Sequence, residues 1–423
     1  MEIKTITGFK DVLPGETEIW AGMQASARKV FARFGYSEII LPIVEKTELF
    51  SRSIGGTTDI VEKEMYSFID RDEDSITLRP EGTASTVRAL IENNLMADNR
   101  FAKLFYMGPM FRHERPQKGR LRQFNQIGVE LFGAVEPSSD AEVILMLDMF
   151  LREIGLNGTQ TQLNSIGCRE CRPAYVEKLR EFLKGKTAGL CKDCLKRTEV
   201  NPLRTFDCKE EGCKSIISAA PCITDNLCPA CTNHFTKVRD LLDNSGVKHV
   251  INPRIVRGLD YYTRTTFEVT AEGLGAQNAI AAGGRYDRLV AELGGPEVPG
   301  IGFAVGVERI AMLPGVAPVN NATGGVFIAT LGDAAAQAGF RIASDLRKAG
   351  IKSEIDYDAK SLKSQMRLAD KLKYRFTAII GDNELQKGLV SLKDMVTKEQ
   401  AEVGIDGLAE HLAGKLKQTV PEG

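Results

Sequence analysis

Phe111-Arg112-His113-Glu114-Arg115-Pro116-Gln117-Lys118-Gly119-Arg120-Leu121-Arg122-Gln123-Phe124-Asn125-Gln126-Ile127-Gly128-Val129-Glu130 joins cations, an aromatic ring and two carboxylates at fixed spacing. Two runs of alternating polarity flank Pro116-Gln117-Lys118-Gly119, a pattern that predicts a hairpin with a basic tip. Between 111 and 123 stand five Lys/Arg and one acid, Glu114. Cations at such a tip can grip phosphate, and Phe124 among them can stack on a base. In isolation a basic hairpin is most often a solvated surface loop. Its meaning depends on the rest of the chain.

Working outward, Ile19, Met23, Ala27, Val30 and Phe34 recur at helical spacing within 11–36, and Gly35 closes that pattern. Ile39–Val44 reads as a strand whose Pro42 suits an edge or a bulge. Further strand-like runs at 75–78, 103–111, 126–132, 265–270 and 300–304 predict an α+β domain, a mostly antiparallel sheet with flanking helices. From about 164 to 244 cysteines, charges and turns are dense, which marks an inserted subdomain. Beyond a linker at 314–325, strands at 326–331, 351–356 and 376–380 alternate with helices at 334–349 and 362–374, and a last helix follows near 408–416. That alternation predicts a separate C-terminal α/β domain with mainly parallel connections.

At 423 residues the chain exceeds one ordinary core, and its net charge of −1 provides no global attraction to nucleic acid. Contacts to RNA must come from local patches. No apolar run approaches the roughly 20 residues that span a bilayer, and the N-terminal residues lack the apolar stretch of a signal peptide, so a cytoplasmic location is expected.

Four more clusters stand beside the hairpin: Thr77-Leu78-Arg79-Pro80-Glu81-Gly82-Thr83, Arg257-Gly258-Leu259-Asp260-Tyr261-Tyr262, Ala282-Gly283-Gly284-Arg285-Tyr286-Asp287 and Gly302-Phe303-Ala304-Val305-Gly306-Val307-Glu308-Arg309. Together they resemble the histidyl-tRNA synthetases of class II. The hairpin looks like the second motif of that class, with Arg112 and Glu114 in its Arg-x-Glu. Residues 302–309 look like the third motif, and Tyr36–Glu45 is similar to the first, dimer-forming one. Residues 257–262 and 282–287 resemble the two stretches peculiar to the histidine enzymes.

The resemblance implies a class II catalytic domain over 1–318, carrying the insertion, and an anticodon-binding domain over 326–423. It implies a homodimeric ligase whose substrates are L-histidine, ATP with Mg2+, and tRNA(His). Histidine would be bound by Glu81, Gly82, Thr83, Arg112, Gln126, Glu130, Arg257, Tyr261 and Tyr262. ATP would meet Arg112, Glu114, Phe124 and Arg309, and tRNA would meet Arg120 and Arg122. Arg257 and Arg112 would be the catalytic cations. A rival of the same lineage is the synthetase-like regulatory subunit of ATP phosphoribosyltransferase, which typically lacks the C-terminal domain and the ATP-binding arginines.

The cysteine density departs from that pattern. Cys168/Cys171, Cys191/Cys194, Cys208/Cys213 and Cys228/Cys231 form four close pairs, with Cys222 left over. Two CxxC pairs 19 residues apart fit a structural tetrathiolate zinc site, about one ion per chain; free thiols in a metal-free insertion are the other reading. In the C-terminal region Lys360, Lys363, Arg367, Lys371 and Lys373 gather about one helix, either a solvated face or an anticodon contact.

Overall fold

The predicted first helix forms over Glu16–Arg33, bounded by glycines at 15 and 35, and buries Met23, Ala27, Val30 and Phe31. It is seen in a computed structural model that describes residues 2–54, 58, 60–256, 259–274, 278–316, 324–358 and 361–417. The chain divides into two units, 1–318 and 319–423. Most of the expected linker therefore lies outside the described residues. Among those residues, no helix is long and apolar enough to cross a membrane.

In the first unit the strands are β1 (Ser37–Glu38), β2 (Val44–Lys46), β3 (Tyr66–Ile69), β4 (Ser75–Leu78), β5 (Ala102–Phe111), β6 (Gln123–Phe132), β7 (Thr159–Ser165), β8 (His249–Ile251), β9 (Thr263–Ala271), β10 (Ala279–Arg285) and β11 (Gly300–Gly306). Eight of them form one sheet in the order β1-β5-β6-β11-β10-β9-β7-β8, while β2, β4 and β3 form a small second one. The large sheet is antiparallel except at its edges, where β1 pairs with β5 and β8 with β7 in parallel. The hairpin is its longest antiparallel pair, from Ala102↔Phe132 to Phe111↔Gln123.

Along β6 the period of two divides the strand's work. Ile127, Val129 and Leu131 enter the core around Phe31, whose ring meets those of Phe105, Phe150 and Phe303. Phe124, Gln126, Gly128 and Glu130 take the opposite face.

The expected strand at 39–44 is interrupted. Arg79 donates from its guanidinium to the carbonyls of Leu41 (2.8 Å) and Pro42 (3.2 Å), and also to Pro109 (2.9 Å), so a side chain satisfies carbonyls that a neighbouring strand would otherwise take. Regular pairing survives only on either side, in β1 and β2.

The insertion is helical: Arg172–Lys184, Lys192–Val200, Glu211–Ser218 and Pro229–Asn244. The CxxC pairs 168/171 and 191/194 do not meet each other. The first converges with Cys228 and Cys231, the second with Cys208 and Cys213.

In the second unit Ser353–Ile355, Val326–Thr330 and Phe376–Ile380 pair in parallel, as the alternation predicts. Leu389–Asp394 and Gln400–Gly404 then add an antiparallel hairpin that the sequence reading did not anticipate. Helix Leu362–Lys371 is held to the sheet by Gln365, whose amide exchanges hydrogen bonds with the backbone of Thr330 (2.9 and 2.8 Å).

Candidate active site

A cavity of about 550 Å³ opens in the first unit. Alternate residues Phe124 and Gln126 of β6, and Gly302, Ala304 and Gly306 of β11, line it. One end is walled by acids and tyrosines, and the other is rich in arginine.

At the acidic end, Glu81 is buried at the start of helix Thr83–Glu92. Its carboxylate accepts hydrogen bonds from the backbone N–H groups of Thr83 (2.7 Å) and Ala84 (2.8 Å), donors that the helix itself leaves unused. Burial nevertheless raises its pKa, against those bonds and the nearby Arg112. A cationic ligand would relieve that cost.

Glu130 lies one layer behind the cavity wall. It accepts from the Thr83 hydroxyl (2.7 Å) and from the Tyr286 hydroxyl. Burial outweighs both bonds and, with Glu81 close by, lifts its pKa to about 8. The folded chain therefore keeps this proton to higher pH than the unfolded one. The associated stability is complete below the ordinary glutamate pKa and is lost as pH rises through about 8.

Close approach dictates the glycines here. A Cβ on Gly302 would stand 2.0 Å from Glu130 Oε2, and one on Gly82 or Gly128 would strike the Tyr106 ring at 2.3 or 2.1 Å. Tyr261, Tyr262 and Tyr286 pack on one another, with ring centroids 4.7, 5.6 and 6.4 Å apart. Among the described residues, the buried Tyr261 hydroxyl, Tyr106 hydroxyl and Gln126 Oε1 have no hydrogen-bond partner, although all three residues line the cavity. Such atoms are costly unless a ligand completes them.

At the basic end, Arg112 donates from Nε to the Pro80 carbonyl (2.8 Å) and lays its guanidinium over Phe124, 5.4 Å from the ring centre. It thus bridges the two halves of the cavity. Glu114 is paired with Arg120 (3.2 Å) across the hairpin tip. Arg309, on the short helix Val307–Ala311, has its pKa lowered by burial and by Arg120, while Glu268 and Glu114 oppose the shift.

The structure thus gathers Glu81, Thr83, Arg112, Glu114, Arg120, Phe124, Gln126, Tyr261, Tyr262 and Arg309 about one cavity, with Gly82 beneath them against Tyr106. Arg122 is elsewhere: its backbone N–H donates to the Gly8 carbonyl (2.8 Å), and its guanidinium reaches the Glu114 carbonyl (3.3 Å). Arg257 lies outside the described residues. Its neighbours Val256 and Leu259 both line the cavity.

Sequence reading passed over several lining residues. Tyr286 and Glu308 belong to stretches already singled out, but Tyr106 and Glu268 carried no signal of their own. Glu308 accepts from the backbone and side chain of Asn125 (2.8 and 3.1 Å). Arg197, Arg204, Asp207 and Lys209 arrive from the insertion.

The sequence profile of the histidyl-tRNA synthetases matches residues 8–310, and that of the anticodon binding domain matches 325–415. A histidine–tRNA ligase of Geobacter metallireducens is 54% identical over 98% of this chain and 100% of its own. Its counterpart in Geobacter sulfurreducens is 55% identical over 95% of this chain and 97% of its own. The crystal structure of the apo histidyl-tRNA synthetase of S. aureus has a TM-score of 0.82 at 36% identity, covering 97% of this chain and all of that one. With profile, relatives and fold agreeing across both units, the chain belongs to the histidyl-tRNA synthetase family.

Proposed function

We propose that the chain is an ATP-dependent histidine–tRNA ligase, which converts L-histidine and ATP to histidyl-adenylate and pyrophosphate and then passes the histidyl group to the 3′ end of tRNA(His). The observation that carries this reading is the junction of an acid-and-tyrosine pocket with an arginine-and-aromatic wall at Arg112.

Glu81 receives the substrate ammonium. Tyr261 and Gln126 offer unpartnered polar atoms to the imidazole, and Glu130, by accepting from the hydroxyls of Thr83 and Tyr286, fixes how those hydroxyls are turned behind them. A site that pairs both ring nitrogens rejects amino acids lacking them, because its own buried groups would be left unpaired. Phe124 stacks on adenine, Glu114 accepts from its amino group, and Arg309 adds a cation to adenine or to the triphosphate. Arg112 acts at the α-phosphate as the histidine carboxylate attacks it, and the family resemblance gives Arg257 the same task. Charge then grows on the phosphate oxygens, where fixed cations act most strongly. Glu268 and Glu308, oxygen donors on the same wall, would hold Mg2+, which neutralises the outer phosphates when bound.

In the second unit, helix Leu362–Lys371 exposes Lys363, Arg367 and Lys371 on one face, suited to the phosphates of an anticodon arm. Arg120, at the hairpin tip, is placed for the acceptor end. A cytoplasmic location fits nine cysteines of which none is joined in a disulfide. Exposed Ile40, Ile43, Val44, Phe68 and Ile69, on and beside β1 to β3, support a homodimer. Sedimentation at micromolar concentration should give a dimer that Ile40→Asp weakens. A wild-type monomer would remove this assignment.

Histidine-dependent ATP–pyrophosphate exchange tests the function itself. Exchange is expected with histidine and with no other amino acid. Glu130→Gln should raise the KM for histidine by about tenfold, the cost of leaving one of the two buried hydroxyls that donate to Glu130 without its acceptor, with little change for ATP. Equal exchange with a second amino acid would overturn the pocket assignment.

A further inference from the structure

The eight paired cysteines collect into two separate groups rather than one. In each group, of Cys168, Cys171, Cys228 and Cys231 and of Cys191, Cys194, Cys208 and Cys213, the four sulfurs lie within 4.8 Å of one another. The contacts Cys168–Cys171 (3.8 Å), Cys168–Cys228 (3.7 Å), Cys171–Cys231 (3.8 Å) and Cys191–Cys208 (3.8 Å) share nearly one length. That length suits a single tetrahedral ion. Four thiolates about 2.3 Å from a tetrahedral centre stand about 3.8 Å apart along each edge. A polynuclear iron–sulfur cluster attaches its cysteines to different irons and needs a wider set of sulfurs.

Backbone amides supply a second observation. Cys168 N donates to Cys171 Sγ (3.3 Å), Cys194 N to Cys191 Sγ (3.4 Å) and Cys191 N to Cys213 Sγ (3.2 Å). N–H groups aimed at sulfur stabilise thiolate charge, and outer hydrogen bonds of this kind orient metal ligands. One residue of each pair is buried: Cys171, Cys231, Cys194 and Cys213. Four sulfurs drawn this close together would gain little as thiols.

We propose that the insertion holds two single-ion tetrathiolate zinc sites, and that the second one shapes the active-site cavity. The first ties the turn after β7 to the start of helix Pro229–Asn244. The second closes a loop from Cys191 to Cys213, and that loop carries Arg197, Arg204, Asp207 and Lys209 to the cavity wall. Zinc here is structural. Each ion displaces the thiol protons of its four ligands and replaces core that a cysteine-rich, highly charged segment lacks.

Elemental analysis of untagged full-length protein, purified without chelator, is the direct test. About two zinc per chain is expected. Cys194→Ser should lose one ion and raise the KM for ATP or histidine, while Cys231→Ser should lose the other ion. A measurement on unmutated protein guards against variants that fail to fold: a thiol-reactive chromogen should label Cys222 alone at first, and all nine cysteines after denaturation with chelator. Folded, active protein that carries no metal, or only one ion, would overturn the proposal. So would nine rapidly reacting thiols, and iron in place of zinc would overturn the choice of metal.

Discussion

Arg112→Ala is expected to slow histidyl-adenylate formation by about a hundredfold or more, the usual cost of removing one well-placed electrostatic group from a transition state. The geometry explains why this arginine matters beyond its charge. Its Nε is spent on the Pro80 carbonyl, directly before Glu81, and its plane lies over Phe124. The remaining N–H groups are therefore left for the space between the two halves of the cavity, where the proposed reaction would bring the carboxylate to the α-phosphate. Because the phosphate oxygens gain charge only as attack proceeds, kcat should fall more than the affinities for histidine and ATP. Arg112→Lys should recover little, since an ammonium cannot keep the Pro80 bond, cover the ring and present a two-pronged donor at once. Rapid-quench measurement of adenylate formation decides the matter. Normal single-turnover adenylation with weakened ATP binding would make Arg112 a ground-state anchor and leave the catalytic burden on Arg257.

Arg285→Met is expected to destabilise the first unit by about 3–5 kcal/mol, the range for breaking a buried ion pair from one side. Arg285 is fully buried at the end of β10, and every N–H of its guanidinium has a partner. Nε and Nη2 donate to Asp140 (3.0 and 2.5 Å), Nη1 to the Ala134 carbonyl (2.9 Å) and Asp287 (2.8 Å), and Nη2 also to the Ser139 hydroxyl (2.8 Å). His234, from the last helix of the insertion, meets the other Asp140 oxygen at 2.8 Å. One network thus joins helix Pro137–Glu153, the insertion and the strand that leads into Tyr286. Burial opposes the Asp140 charge, but Arg285 and His234 win and hold its pKa below the ordinary aspartate value. The sign follows: this stabilisation is complete above the unfolded aspartate pKa and disappears as pH falls through the depressed folded one. Chemical denaturation of the two proteins at neutral pH should show the loss. Adding Asp140→Leu to Arg285→Met should recover part of it, because no lone charge then stays buried. Equal stability of Arg285→Met and the unmutated chain would reduce the network to a bystander.

Local pattern made much of this molecule legible. The helix at 16–33 follows from apolar spacing closed by Gly35, and the hairpin follows from alternation around a Pro-Gln-Lys-Gly break. The three parallel strands of the second unit follow from strand and helix runs in turn. The motif residues 81–83, 112–126 and 309 were readable because the stretches that hold them, taken together, resemble those of one family. Other features were not local. The segment 39–43 has strand composition, yet Arg79, nearly forty residues away in sequence, takes its carbonyls.

The cysteines make the division plain. Sequence spacing marked eight of them as ligand pairs, but the shortest separation suggested the wrong partners for the CxxC pair at 168/171. Only the packing of the insertion's helices brings Cys168 to Cys228 and Cys191 to Cys208. In the same way Glu130 was recognisable as an acid of the pocket, while its place behind Thr83 and Tyr286 depends on three separate elements meeting. Periodicity and residue type record what each segment can do by itself. Which groups share one buried space is decided by long-range packing, because burial and pairing are properties of the assembled neighbourhood and of no single stretch of chain.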